Sequence, residues 1–335
     1  MAITSITDLA PLVNQKAFAD AVQQEIKEKS KFIKAGIAVS DPIIAAKCAQ
    51  GGKTVELPFF NALGGTSVLD EETLEEGTEA TIDALTMGLD EAVKTVRVKA
   101  WGATDLATIL SGADPLAVIK SQIAEWKIRA AERKLFATLE GIFGVSGMDA
   151  LTLDLTKATG DDQYLTKHTF GRAAQLLGEH KVDLTTIVCN SEVEQYLQEA
   201  DTEARLYVPS QVTSTLASYG GRELITDDQA KCTYDSDSKS SVAEIYLFGK
   251  GAIAYNDCPV NHAFEVARDA IKSQDYIVTR TADIMHVRGV KWVGTTFAQG
   301  TSSTPKNADL ATASNWSMVY PKDYIRCVKI IARIK

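Results

Sequence analysis

The sequence predicts a mixed α+β protein, and three observations predict it. Two strand-like runs flank a long acidic excursion, a helical stretch of twenty-nine residues follows without interruption, and short helices then alternate with short apolar strands before the chain returns to β character. With 335 residues, 45% of them hydrophobic and 24% charged, the chain has ample material for a core and an ordinary globular composition. Its length exceeds one typical domain, so two domains or one elongated body with excursions is expected.

Residues 18–33 read as an amphipathic helix, with Val22, Ile26, Phe32 and Ile33 near helical spacing among Lys27, Glu28, Lys29 and Lys31. Such a piece either packs on its own domain or reaches out as an arm. Thr54–Phe60 (TVELPFF) and residues 93–101 (VKTVRVKAW) have strand character, Val96, Val98 and Ala100 alternating with Arg97 and Lys99. Pro58 demotes the first run to an edge strand. If the two runs pair antiparallel, residues 61–92 form the excursion between them, and connections of that length are usually functional.

Asp114 at the N-cap and Pro115 at the first helical position announce the helix Pro115–Phe143, and Gly144 ends it. At 1.5 Å per residue it is about 43 Å long. Ile119, Ile123, Trp126 and Ala130 run down one face, Ile128, Leu135, Leu139 and Ile142 down a neighbouring one, and Gly141 weakens the last turn. Residues 144–162 are turn-rich and mark a boundary. Beyond them the pattern gives helices at 168–180 and Ser191–Ala200 and strands at Leu184–Cys189, 244–248 and 252–255, which is the signature of an α/β lobe. Residues 231–241 (KCTYDSDSKSS) read as an exposed loop and 276–293 as β-rich. Residues 299–315 form a Ser/Thr/Ala-rich loop. At the end Val328, Ile330, Ala332 and Ile334 alternate with Lys329, Arg333 and Lys335, a strand that must be tied into a sheet. No internal repeat is visible.

Charge is distributed unevenly. Residues 54–93 carry ten carboxylates and no Lys or Arg, whereas residues 94–134 carry eight basic side chains against four acidic ones. A segment so acidic, with Gly64, Gly65, Gly77 and Gly88, cannot close a core of its own and needs a partner surface. An acidic arm followed by a basic surface points to copies of the chain gripping one another. The net charge of −9 opposes non-specific binding to nucleic acid, although a surface that coexists with dense nucleic acid without sticking to it is also acidic. No apolar run is long enough to span a membrane, and MAITSITDLAPLV has neither the basic nor the long apolar region of a signal peptide. Cys48, Cys189, Cys232, Cys258 and Cys327 are odd in number and widely spaced, which predicts reduced structural thiols in a cytosolic setting rather than a disulfide framework or zinc site.

No constellation for catalysis emerges. His168, His180, His262 and His286 lack metal-ligand spacing, and the chain has no phosphate-binding P-loop, dinucleotide fingerprint or nucleophile elbow. The glycines of Gly249-Lys250-Gly251 are explained by a tight turn between strands. The acidic run DEETLEEGTE at 70–79 lacks the alternating ligands of a calcium loop, and its carboxylates are too mutually repelling to serve as an acid/base pair.

The order of parts, together with VLDEETLEEGTEATIDALTMGLDEAVKTVRVKAWGATDLA at 68–107 and SGADPLAVIKSQIAEWKIRAAERKLFATLEGIFG at 111–144, resembles the siphophage-type major capsid proteins of tailed bacteriophages, which have the Hong Kong 97 fold. The resemblance is specific in the first half of the chain and architectural after Asp149. It implies an N-terminal arm and lead-in at 1–50, an extended loop at 51–101 lying across a neighbouring subunit, a peripheral domain with its spine helix at 102–149 and 262–335, and an axial domain at 150–261. It also shifts the N-terminal segment towards an intermolecular role.

On this resemblance the chain is a non-enzymatic coat protein without cofactor or metal. It would assemble with itself, as hexamers and pentamers, into an icosahedral head around double-stranded DNA contacted without sequence specificity. It would reside in the virion, and in host cytoplasm during assembly, with a portal as partner and no membrane. The subunit interface is expected to set Leu69, Leu74, Ile82 and Leu85, with Glu71, Glu72, Glu75 and Glu76, against basic groups around Arg129, Arg133 and Lys134 of a neighbour. Apolar contact would supply most of the adhesion and charge would set register. Some relatives weld subunits through a loop lysine, but residues 54–93 contain none, so a non-covalent shell is expected. The chain also lacks a long helical N-terminal extension, which leaves assembly to a separate scaffolding protein or to none. The alternatives are an encapsulin-type nanocompartment with protein cargo and a cytosolic α/β enzyme with an acidic metal-binding loop.

Overall fold

The computed structural model describes residues 30–61, 85–106, 109, 115–200, 217–236, 238–295 and 304–334. Most of the expected N-terminal helix, the 70–79 carboxylate run, the Asp114 cap and part of the 299–315 loop lie outside them.

Helix α1 (Lys31–Lys34) and strand β1 (Ala38–Val39) lead into α2 (Pro42–Cys48), where Asp41 caps the N-terminus by accepting from the N–H groups of Ile43 and Ile44. Strands β2 (Thr54–Phe60) and β3 (Met87–Thr104) precede the long helix α3 (Pro115–Phe143). Then come β4 (Thr152–Asp154), α4 (Lys167–Ala174), β5 (Leu184–Cys189), α5 (Ser191–Ala200), β6 (Ala217–Tyr219), β7 (Arg222–Thr226), β8 (Cys232–Asp235) and β9 (Ser240–Gly249). Strands β10 (Ile253–Cys258), β11 (Phe264–Asp269), β12 (Gln274–Val287) and β13 (Val290–Trp292) follow. Helix α6 (Asn307–Leu310), β14 (Trp316–Met318) and β15 (Cys327–Ile334) complete the described chain.

Two large sheets result. The first runs β1-β10-β12-β3-β2, with β11 also on β12; the second runs β4-β15-β9-β5-β7-β6, with β8 also on β9. Strand β2, which contains Pro58, is an edge of the first sheet, where its missing donor breaks no central ladder. Helix α3 buries apolar residues against both sheets, with Ile128 joining Ile123 instead of the Leu135, Leu139 and Ile142 face expected for it. Ile123, Ala124 and Ile128 pack with Phe264 and Ile277 of the first sheet, while Leu135, Leu139 and Ile142 enter the main core with Ile245, Leu247 and Ile330 of the second. Trp126 stays at the rim, edge-on to Trp101 at 4.9 Å.

Several expectations change. Of residues 93–101 only Val93 pairs with β2: the partner is Met87–Val93, and the same strand continues through Lys94–Thr104 against β12, so the excursion between the paired strands shortens to residues 61–86. The helix predicted over 168–180 stops at Ala174 and continues as 3₁₀ turns, because Gly178 takes φ +62° inside them. Within the predicted 231–241 loop, β8 pairs with β9. The terminal strand is tied into the second sheet, where β15 lies antiparallel to β9 and parallel to β4.

The thiol expectation changes too. Packing of α2 against β10 brings Cys48 and Cys258 together as a disulfide across 210 residues, with Cα atoms 5.1 Å apart. Spacing gives no hint of such a pair, since only the tertiary fold makes them neighbours. Cys189, Cys232 and Cys327 remain free, the first and last buried.

Lys134 also departs from expectation. Rather than facing a neighbour, it is 5% exposed, its Nζ 2.6 Å from Asp283 Oδ2 and 2.9 Å from Thr95 Oγ1. Its charge is compensated within the chain, because a buried ammonium without a paired carboxylate is too costly to keep. Replacing it in Lys134→Ala strands the Asp283 carboxylate and is expected to lower the stability of the unassembled subunit by about 3–5 kcal/mol, whereas the double variant Lys134→Met/Asp283→Leu costs much less. Urea unfolding of the two variants checks the difference.

Gly141 is explained by close approach: a Cβ there would lie 2.0 Å from Leu310 O, the atom that accepts from Trp316 Nε1 at 2.7 Å. Gly141→Ala is therefore expected to destabilise by about 1–3 kcal/mol, although the same change in an open helix gains about 1 kcal/mol. Thermal unfolding reads the sign.

Candidate functional site

Strands β2 and β3 form a two-stranded arm whose two faces differ. The register pairs Phe60 with Met87, Pro58 with Leu89 and Glu56 with Glu91 on one face, and Phe59 with Gly88, Leu57 with Asp90 and Val55 with Ala92 on the other. Strand alternation follows this division strictly. Val55, Asp90 and Ala92 are buried against the body, while Phe60 and Met87 are 65% and 62% exposed and Leu85 and Leu89 are exposed beside them. Pro58 lies on the same outward face. The outer part of the arm thus presents a row of large apolar side chains to water, and its root presents carboxylates.

The root is anchored by backbone acceptors. Lys94 Nζ donates to the carbonyls of Cys48 and Gln50 at 2.9 and 3.2 Å, and beneath the arm Ile44, Cys48, Val55, Ala92, Ala254, Cys258, Ala282 and Ile284 make a small separate core. The Cys48–Cys258 disulfide lies within that core.

Of the expected interface residues, Leu85 is placed on the exposed face, and Leu69, Glu71, Glu72, Leu74, Glu75, Glu76 and Ile82 lie outside the described residues. On α3, Arg129 is exposed and bonded to Glu125 one turn away at 2.6 Å. Arg133 lines an open cleft of about 460 Å³ with Glu140, Asn190 and Lys231. Lys134 is withdrawn inside. Between the two arginines stands Glu132, whose carboxyl is pushed up to about 7 by burial and the nearby Asp227 charge, with Lys31 and Arg129 opposing. The helix therefore offers a mixed surface rather than a basic stripe. Among the described residues, no contact joins the arm to Arg129 or Arg133.

Sequence reasoning missed Phe60, Met87 and Leu89. The signal lies in the alternation of Leu85, Met87 and Leu89 with Thr86 and Gly88, a strand pattern at the end of the carboxylate-rich stretch. Among the described residues no group of three or more His, Cys, Asp or Glu is placed to hold a metal ion.

No protein-family model matches the chain. A major capsid protein of Bacillus phage SPP1 is 32% identical over 337 residues, covering 100% of both chains. Among solved structures, the capsid of Ralstonia phage GP4 superposes with a TM-score of 0.61 at 11% identity over 92% of each chain. The capsid of a native GTA particle gives 0.50 at 12% identity, over 91% of this chain and 90% of its own. The structural likenesses carry the fold and the full-length sequence match carries the family. With the long helix, two sheets and extended arm in place, this chain belongs to the siphophage-type major capsid proteins of the Hong Kong 97 fold, the proteins that build the capsid shell.

Proposed function

We propose that the shell is held together through the β2–β3 arm, whose outward face seats on a neighbouring subunit within a hexamer or pentamer. The observation that carries this reading is the row Phe60, Leu85, Met87 and Leu89, exposed on an arm whose opposite face is already buried. Burying one such side chain contributes about 1.5–3 kcal/mol, against roughly 0.2–1 kcal/mol for an exposed ion pair. The apolar row is therefore the adhesive, and the carboxylates at 70–79 set approach and register against basic groups such as Arg129 and Arg133. The assembled shell encloses double-stranded DNA without reading its sequence, in keeping with the net charge of −9. Assembly takes place in host cytoplasm, with a portal and a separate scaffolding protein as candidate partners and no catalytic role.

Purified protein is expected to form particles tens of nanometres across on negative-stain microscopy, alone or with a scaffold, and particles from infected cells to hold nuclease-resistant DNA rather than protein cargo. Phe60→Asp/Met87→Asp removes about 3 kcal/mol or more of contact and should raise the protein concentration needed for assembly roughly 100-fold, with the subunit still folded. Assembly of this variant at the wild-type concentration would overturn the docking role of the arm.

A further inference from the structure

The arm leaves the body where β3 parts from β12. The last pair of that ladder is Lys94 with Ile284, and beyond it β3 is paired with β2 alone. The root of the ribbon is held by the core around Val55 and Ala92 and by Lys94 and Lys47, which donate to the carbonyls of Cys48, Gln50 and Glu56, so the angle of its outer part depends on what holds it farther along. Two residues beyond Ile284, His286 reaches across the gap: its Nε2 lies 2.8 Å from Asp90 Oδ2. The same oxygen accepts the Gly289 N–H at 3.1 Å, and Oδ1 accepts the Glu91 N–H at 2.9 Å. Asp90 is 1% exposed and His286 is fully buried, so the hook is sealed from water. His286 Nδ1 has no partner, which leaves Asp90 as the side chain that satisfies this imidazole.

A second contact acts in the same direction. Phe59, on the inward face of β2, meets the Tyr320 ring edge-on at 4.5 Å. Tyr320 in turn donates its N–H to Gly289 O, whose residue has φ +94° and room for no side chain, a Cβ there lying 2.9 Å from the Tyr320 ring. The turn at Gly289 and Tyr320 form one socket, and the inward face of the arm enters it through Asp90 and Phe59.

We propose that Asp90 is the positioning residue of the arm: by hooking His286 and the Gly289 N–H it sets the angle at which the arm leaves the body, and hence where its apolar face meets a second copy of this chain. None of these bonds belongs to the β2–β3 ladder, which has seven residue pairs of its own, so their loss leaves the ribbon intact and its root held, and loosens the angle of the part beyond Asp90. Over the roughly 23 Å of a seven-residue strand, a swing of about 10° displaces the far end by about 4 Å, the width of a side-chain contact. Asp90 is suited to hold at neutral pH: although burial pushes its carboxyl up, the hydrogen bond and charge of His286 and the two N–H groups carry it below the ordinary range. The inference rests on the docking reading of the arm.

The test compares Asp90→Ala and Asp90→Asn with wild type as unassembled subunits and in assembly. Spin labels at Thr86→Cys and Lys291→Cys in a Cys232→Ser background report the arm-to-body distance, and amide exchange reports the ladder. Asp90→Ala is expected to keep ladder protection at 55–60 and 87–93 and to broaden the distance distribution. It should also speed exchange at the Gly289 amide at least tenfold and yield particles of mixed diameter or none. Asp90→Asn, which still offers an acceptor to Gly289, should narrow the distribution again and recover part of the uniform particles. A wild-type distance distribution in Asp90→Ala, or loss of the ladder along with the hook, overturns the proposal. The distance readout is taken on the free subunit, so it stands even if Phe60→Asp/Met87→Asp assembles normally and the docking reading falls.

Discussion

The structure depends on the continuity of one strand. β3 runs unbroken for eighteen residues, about 60 Å at strand rise, and serves two assemblies in turn, the ribbon with β2 and the ladder with β12. Because successive side chains point to opposite faces, the register locked by β12 at Lys94–Thr104 also dictates which residues of the ribbon turn inward. Gly88, Asp90 and Ala92 face the body, so Met87 and Leu89 must face away. A slip of one residue would bury the apolar row and expose the carboxylate. The shape of the presented surface is therefore decided in the middle of the sheet, far from the surface itself.

Two buried polar pairs stand on either side of the point where β3 and β12 part, the Lys134–Asp283 ion pair on the sheet side and the His286–Asp90 hydrogen bond on the arm side. Apolar packing alone is tolerant of sliding, whereas a sealed polar pair is satisfied in one alignment only. Asp283 lies opposite Thr95 in the ladder and shares Lys134 with it, which ties helix, strand and register in a single cluster.

Local pattern was enough for several of the elements. TVELPFF, the Pro115–Phe143 helix with its terminal Gly144, and the alternating tail all form where periodicity and capping place them, since those signals act over a few residues. What escaped was set at long range. That β15 belongs with β9 rather than with the first sheet, that Cys48 meets Cys258, and that Lys134 is internal follow from topology, which no short window contains. For the site, the acidic character of the excursion was legible and the exposed apolar row was not. Phe60 and Met87 are twenty-seven positions apart and become a pair only through the ribbon register. His286 gave no motif because its partner is a lone aspartate 196 positions away.

The Cys48–Cys258 bond closes most of the molecule into a covalent ring. The arm, the long helix and the strands from β4 to β9 all lie between its two ends. A backbone cut anywhere in that span leaves a single connected molecule, with the severed ends still held by the intact bond. A protease that nicks an exposed loop of the oxidised subunit therefore releases nothing, and the break shows as two fragments only when a reductant opens the ring.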